Sequence, residues 1–233
     1  MKLPPVAIIA GGLATRLYPI TLSTPKSMIE IAGRPFIHYQ LSVLKQNGVS
    51  NILLCVGNLG SQIQEYVNDG KAWGLEVEYS YDGQVPLGTG GAIKEGLSKL
   101  SEKFFVMYGD SYLNIDFKQV WMHFENSTKS ALLVIYHNRD NFDRSNILIK
   151  NGKILEYKKE QSSGMEYIDY GLSIMNRRNF DDWPEGAAFD LGDVYRKLIA
   201  SGDIVTFEAK HRFYEIGSKK GMQDTEKYLI SKS

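Results

Sequence analysis

A single cysteine, Cys55, in 233 residues leaves no partner for an internal disulfide and no set of thiolates for a metal site. Its place inside an apolar run reads as core packing. Long hydrophobic runs are missing as well. None approaches the roughly 20 residues of a membrane helix, and Met1-Lys2-Leu3-Pro4 has nothing of a signal peptide. Charge of one sign is not in excess. The 27 basic and 27 acidic side chains give a formal net charge of +0, which removes the electrostatic footprint of a nucleic-acid-coating protein while allowing a local basic pocket. His38, His123, His137 and His211 show no metal-ligand spacing and read as surface or helix residues. Neither the Walker pattern G-x-x-x-x-G-K-[ST] nor the dinucleotide pattern G-x-G-x-x-G occurs, and no hexapeptide repeat marks a β-helix. The expectation is a cytoplasmic protein, monomer or homodimer, with neither membrane nor nucleic acid as partner.

What is present begins with the stretch from Ala10 to Lys26. It follows the apolar run Pro5-Val6-Ala7-Ile8-Ile9-Ala10, which reads as a fully buried strand. Gly11 and Gly12 then free the backbone for a turn with bare amides. Arg16 and Lys26 bring fixed positive charge to the same loop. The residue types suit a polyphosphate cradle, and a tight turn carrying surface cations is the competing reading.

Downstream, Phe36 to Gln46 has helical spacing with Ile37, Leu41 and Leu44 inward, and Gly48 supplies a stop. Asn51 to Val56 reads as a second buried strand, Ser61 to Asn68 as a short helix, and Leu75 to Tyr79 as a half-exposed strand. This alternation predicts right-handed crossovers and a mainly parallel sheet. Leu87-Gly88-Thr89-Gly90-Gly91-Ala92 introduces a helix from Ile93 to Leu100, its amides forming a second anion- or base-facing edge. Phe104 to Tyr108 is a further buried strand that ends at Gly109-Asp110, where ligands gather in open α/β sheets. Asp116 to Phe124 is helical, and Ala131 to Tyr136 is a strand. From about residue 137 crossovers give way to hairpins, marked by Asn151-Gly152, with a strand from Tyr167 to Met175. Asp190 to Ala200 is an amphipathic helix, Ile204 to Glu208 and Arg212 to Tyr214 are strands, and a last helix runs to about Ile230.

The string G-G-x-x-T-R-L-x-P-x-T-x-x-x-P-K, carried by Gly11, Gly12, Thr15, Arg16, Leu17, Pro19, Thr21, Pro25 and Lys26, resembles the signature of the sugar-1-phosphate nucleotidyltransferases. Four further segments extend the resemblance over nearly the whole chain: Gly88 to Ala92, Gly109-Asp110, Asp169 to Gly171, and Glu215 to Ser218. It implies an α/β fold, a Rossmann-like mainly parallel mixed sheet flanked by helices with a hairpin-rich sugar-binding portion. The chain would be one domain over 1–233, with a nucleotide-binding half (1–136) and a sugar-phosphate-binding half (137–233).

The resemblance also distributes roles. Ala10, Gly11, Gly12, Leu13, Thr15, Arg16, Gly88, Thr89 and Gly109 would face the nucleotide. Gly90, Asp169, Gly171 and one of Lys158 and Lys159 would face the sugar phosphate, and sequence leaves the choice of lysine open. Asp110 and Glu215 would hold Mg²⁺, with Arg16, Lys26 and Asp110 as the catalytic groups. Glu215 departs from the family's usual aspartate, and Ser218 from its threonine. A glutamate is one methylene longer but remains a hard oxygen ligand. Size and the Leu-Gly-Thr-Gly-Gly-Ala segment look most like short bacterial enzymes using GTP with heptose or mannose 1-phosphate. UTP or CTP with another sugar phosphate stays open. So does a non-catalytic nucleotide-sugar sensor. A glycosyltransferase would be expected to carry an Asp-x-Asp motif, which Gly109-Asp110-Ser111-Tyr112 lacks.

Overall fold

The structure, a computed structural model, describes residues 2–83, 85–158 and 164–232. Strand β1 (Val6–Ile9) leaves the amino terminus, and a loop with three short 3₁₀ turns leads to the two-residue strands β2 (Glu30–Ile31) and β3 (Arg34–Pro35). Helix α1 (Phe36–Gln46), β4 (Asn51–Val56), α2 (Gly60–Val67), β5 (Glu76–Tyr81), α3 (Gly88–Glu95) and β6 (Lys103–Tyr108) complete the first half. Then come β7 (Ser111–Tyr112), α4 (Phe117–Glu125), β8 (Ala131–His137), β9 (Ile147–Lys150), β10 (Lys153–Tyr157) and β11 (Tyr167–Asn176). Helix α5 (Leu191–Ala200), β12 (Ile204–Glu208), β13 (Tyr214–Glu215) and α6 (Lys219–Ile230) close the chain.

Among the described residues a nine-stranded sheet organises these elements. β5, β4, β1 and β6 lie side by side in parallel, and β11 joins β6 antiparallel. β11 also pairs antiparallel with β8, which carries β12 in parallel at its far edge. The β9–β10 hairpin attaches at the start of β11. Asn151 and Gly152 turn it with φ of 53° and 72°, both positive as a two-residue hairpin turn of this type requires. The mixed, mainly parallel sheet flanked by helices is the architecture that the strand–helix alternation implied.

Strands buried on both faces read as unbroken apolar runs, and β1 shows why. Val6 and Ile8 pack on one face with Ile37, Leu41 and Leu44 of α1, Ile63 of α2 and Phe117 of α4. Ala7, between them, packs on the other face with Ile93 of α3 and Leu191 and Val194 of α5. A third, smaller cluster joins Leu17 of the first loop, Phe36 of α1, Ile216 and Leu229. It anchors the Gly11-to-Lys26 segment to the carboxyl-terminal helix.

Two elements differ from expectation. The glycine segment after Leu87 does not precede α3 but forms its first turn, from Gly88, and the helix ends at Glu95 rather than Leu100. The amides of Gly90 and Gly91 donate to the Phe189 carbonyl at 3.0 and 3.3 Å, so a residue a hundred positions away satisfies the helix start. They are therefore spent inside the fold rather than offered as an open edge. The strand expected over Arg212 to Tyr214 lies instead at Tyr214–Glu215, where β7 is available to pair.

Candidate active site

The carboxyl ends of β1 and β6 open side by side, with Ile9 paired to Tyr108. Gly109 closes the approach: its amide donates to the Ile9 carbonyl at 3.0 Å, and a Cβ there would collide with that carbonyl. The loop after β1 projects outward. Leu13, Thr15 and Arg16 are exposed, Ala10, Gly11 and Ala14 are half-buried, and a Cβ on Gly12 would meet nothing within 4 Å. Gly11 is different, since a Cβ there would fall 2.9 Å from the Gly57 amide nitrogen and 3.3 Å from Asp82 Oδ2. Its bareness permits close packing of the first loop on the end of β4, and Gly12 keeps the outer backbone open.

Asp110 follows Gly109 and meets Lys26, whose Nζ lies 2.5 Å from Asp110 Oδ2. The Ser111 hydroxyl donates to Asp110 Oδ1 at 3.1 Å. Glu215 arrives from the other end of the chain because β13 pairs with β7, placing Glu215 opposite Ser111, and the Ile216 amide donates to the Asp110 carbonyl at 3.0 Å. The Glu215 carboxylate is folded back on its own loop by the Gly217 amide and by the Ser218 hydroxyl at 2.7 Å. Ser218 in turn caps α6 through the Gly221 amide at 2.9 Å. A serine serves this cap as a threonine would.

Gly217 measures the convergence. A Cβ built there would lie 2.9 Å from Glu215 Oε2, 3.0 Å from Lys26 Nζ and 3.5 Å from Asp110 Oδ2. Two carboxylates and one ammonium therefore surround one small space that only glycine leaves free. Hard oxygens of this kind fit a divalent cation. Among the described residues no group of three or more His, Cys, Asp or Glu side chains could hold a metal by itself, so substrate phosphates and water would supply the remaining ligands.

The sugar-side candidates adjoin this centre. Gly171, at φ +87°, sits where a Cβ would be 3.0 Å from Ser111 Oγ and 3.3 Å from Tyr108 Cδ2. Asp169 is nearly buried and accepts from Tyr108 at 3.0 Å, Tyr157 at 2.9 Å and the Gly171 amide at 2.9 Å. Burial holds its carboxyl above the usual carboxylate range, those three donors oppose the rise, and the Asp110 charge adds to it. Burial likewise pushes the phenols of Tyr108, Tyr157 and Tyr195 well up. Lys158 is exposed and pairs with Glu156, while Lys159 lies outside the described residues. Thr89 Oγ1 donates to Asp190 Oδ1 and accepts from the Leu191 amide, each at 2.8 Å, tying α3 to the start of α5. Gly88 and Gly90 are pressed against Phe189, Gly90 beneath its ring.

Sequence reasoning missed Asp82, half-buried at the end of β5 with its carboxyl raised by burial. It also missed the tyrosines around Asp169. The available signals were position alone: Asp82 follows an alternating strand, Tyr108 precedes Gly109-Asp110, and Tyr157 precedes the lysine pair.

Residues 6–144 match the nucleotidyl transferase family. The chain belongs to that family. A UTP–glucose-1-phosphate uridylyltransferase of Synechocystis is 29% identical over 214 residues, covering 84% of this chain and 55% of that protein. The chain thus spans about half the length of that relative. A D-glycero-α-D-manno-heptose 1-phosphate guanylyltransferase of Campylobacter jejuni is 29% identical over 199 residues, covering 83% and 87% of the two chains. Among solved structures, one described as a glucose-1-phosphate thymidylyltransferase from Bacillus anthracis superposes with a TM-score of 0.86 at 21% identity, covering 96% of this chain and 94% of the other. That similarity bears on the fold. The family's nucleotidyl-transfer chemistry accords with a centre that brings two carboxylates and an ammonium together.

Proposed function

We propose that this nucleotidyl transferase joins an NTP to a sugar 1-phosphate, giving a nucleotide sugar and pyrophosphate, with GTP and heptose or mannose 1-phosphate as the reactants. One observation carries the reading: Asp110, Glu215 and Lys26 line a single gap at Gly217, beside the open loop after β1. Both reactants are anions, so the obstacles are charge repulsion and alignment rather than want of a nucleophile. The sugar phosphate oxygen would attack the α-phosphorus in line as the bond to the β-phosphate oxygen breaks.

In this reading Asp110 and Glu215 hold Mg²⁺, which when bound neutralises and orients the triphosphate. Arg16, exposed on the first loop, steadies the leaving pyrophosphate, and Lys26 moves from Asp110 to a phosphate oxygen. Ala10, Gly11, Gly12, Leu13, Thr15 and Gly109 form the nucleotide edge, with Gly88 and Thr89 shaping it from below. Residues 137–233 serve the acceptor: Asp169 and Gly171 with the sugar, and Lys158 or Lys159 with its phosphate. Gly90 acts there through packing, as the floor under Phe189. The product would feed cell-surface polysaccharide synthesis in the cytoplasm, by a monomer or homodimer.

Asp82 favours guanine. Its Oδ2 lies 3.3 Å from where a Gly11 Cβ would stand, at the nucleotide end of the sheet. A carboxylate accepts two hydrogen bonds side by side, matching the N1–H and N2–H donors of guanine. Uracil offers one such donor between two carbonyls and repels a second acceptor. Of the two relatives at 29% identity, the guanylyltransferase is the one matched over most of its own length, 87% against 55%. The test is a matrix of the four NTPs against several sugar 1-phosphates, read by pyrophosphate release. Turnover with GTP and a heptose or mannose 1-phosphate supports the reading; binding of nucleotide sugar without any turnover would make the protein a sensor instead.

A further inference from the structure

Gln40 lies on the inner face of α1 and is completely buried, a place where helical spacing calls for an apolar residue. Its Nε2 donates to two backbone carbonyls, Tyr108 at 3.0 Å and Ser111 at 2.9 Å. Those carbonyls bracket Gly109-Asp110. Both acceptors are carbonyl oxygens, so the amide orientation follows from the chemistry, since an oxygen turned toward them could not donate. Gln40 Oε1 has no partner among the described residues, a cost that an apolar side chain would avoid.

We propose that Gln40 is a positioning residue for Asp110, a role that rests on the nucleotidyl-transfer reading. Carbonyls along a strand alternate in direction, and bringing those of Tyr108 and Ser111 onto one amide bends the chain between them. The bend carries the Asp110 carboxylate out toward Lys26 and Glu215. The Ile9 carbonyl and the Ile216 amide hold the same turn from two other sides. Asn47 of the same helical segment accepts from the Phe117 amide at 3.1 Å, fixing where the chain goes next. Gln40 touches no reacting atom in this arrangement; it acts through the direction of Asp110.

Gln40→Met keeps length and apolar volume but removes both donors, and Gln40→Glu sets a carboxylate against the two carbonyls. In either folded variant kcat is expected to fall about tenfold to a hundredfold, the order expected when a reacting group is displaced by about 1 Å. The Mg²⁺ concentration for half-maximal rate is expected to rise about tenfold, while the KM for sugar 1-phosphate stays within about twofold. Mn²⁺ binding with GTP, followed by electron paramagnetic resonance, reports the same weakening without any acceptor. Unchanged kcat and metal demand in either folded variant overturns the role of Gln40 alone. A parallel loss in kcat, metal affinity and acceptor KM also overturns it, since that is general loosening. Wild-type protein that binds no Mn²⁺ with any NTP overturns the nucleotidyl-transfer reading and Gln40's role with it.

Discussion

The ammonium of Lys26 lies 2.5 Å from Asp110 Oδ2, with the two side chains 20% and 32% exposed. That shielding makes the pair stronger than an open surface contact. It also means that, without substrate, the lysine neutralises a carboxylate that a metal would need. On the proposed reading, Lys26 and a divalent cation would compete for Asp110, and triphosphate would relieve the competition by giving the ammonium another anion. Lys26→Met is accordingly expected to bind Mn²⁺ more tightly than wild type in the absence of nucleotide, by about tenfold. Its kcat/KM for NTP should fall by about a hundredfold. Calorimetric titration of the protein with Mn²⁺, with and without GTP, separates these opposite effects. Weaker metal binding by the variant alone would place the lysine outside the competition.

Gly217 offers a test that leaves every charged group in place. Its φ lies outside the left-handed region, so alanine is acceptable to the backbone. The added methyl would still stand within 3.0 Å of both Glu215 Oε2 and Lys26 Nζ. Gly217→Ala is expected to melt within a few degrees of wild type and to lose about 90% or more of turnover. Full activity would mean that the gap between Asp110 and Glu215 is not used.

On the proposed reading, Asp82 carries the choice of base. Asp82→Gln replaces a pure acceptor by a group that both donates and accepts. The ratio of kcat/KM for GTP over UTP is expected to fall by about tenfold or more, measured by pyrophosphate release with one fixed acceptor. An unchanged ratio would assign the base to other residues.

Asp169 should leave a mark on stability against pH. Its carboxyl is raised chiefly by burial, so the folded state holds this proton more tightly than the unfolded chain. The stabilising contribution is present below the ordinary carboxylate pKa and is lost as pH climbs through the raised folded value. Asp169→Asn removes that penalty. Its melting temperature relative to wild type should therefore improve as pH rises through and above the ordinary carboxylate range, and a difference that is flat or worsens over that rise contradicts the burial argument.

Much of this was legible in the chain because local patterning and the fold agree. β4, α1 and β12 lie where apolar runs and helical spacing put them, and Asn151-Gly152 turns its hairpin. Asp110, Lys26 and Glu215 were nameable through a resemblance to known enzymes, though nothing local says that residues 84 and 105 positions apart meet Asp110. Other features depend on remote partners. The start of α3 depends on a carbonyl at Phe189. Asp169 is surrounded by tyrosines from β6 and β10. Gln40 looks like a polar interruption of an apolar face until the β6–β7 turn is laid against it.

The central claim is that Asp110 and Glu215 hold one metal ion together with the triphosphate. Mn²⁺ titration in the presence of GTP, comparing wild type with Asp110→Asn and Glu215→Ala, addresses it directly. One ion per chain, bound about tenfold or more weakly in each variant, is the predicted result. Binding that is indifferent to either substitution, in folded protein, would contradict it.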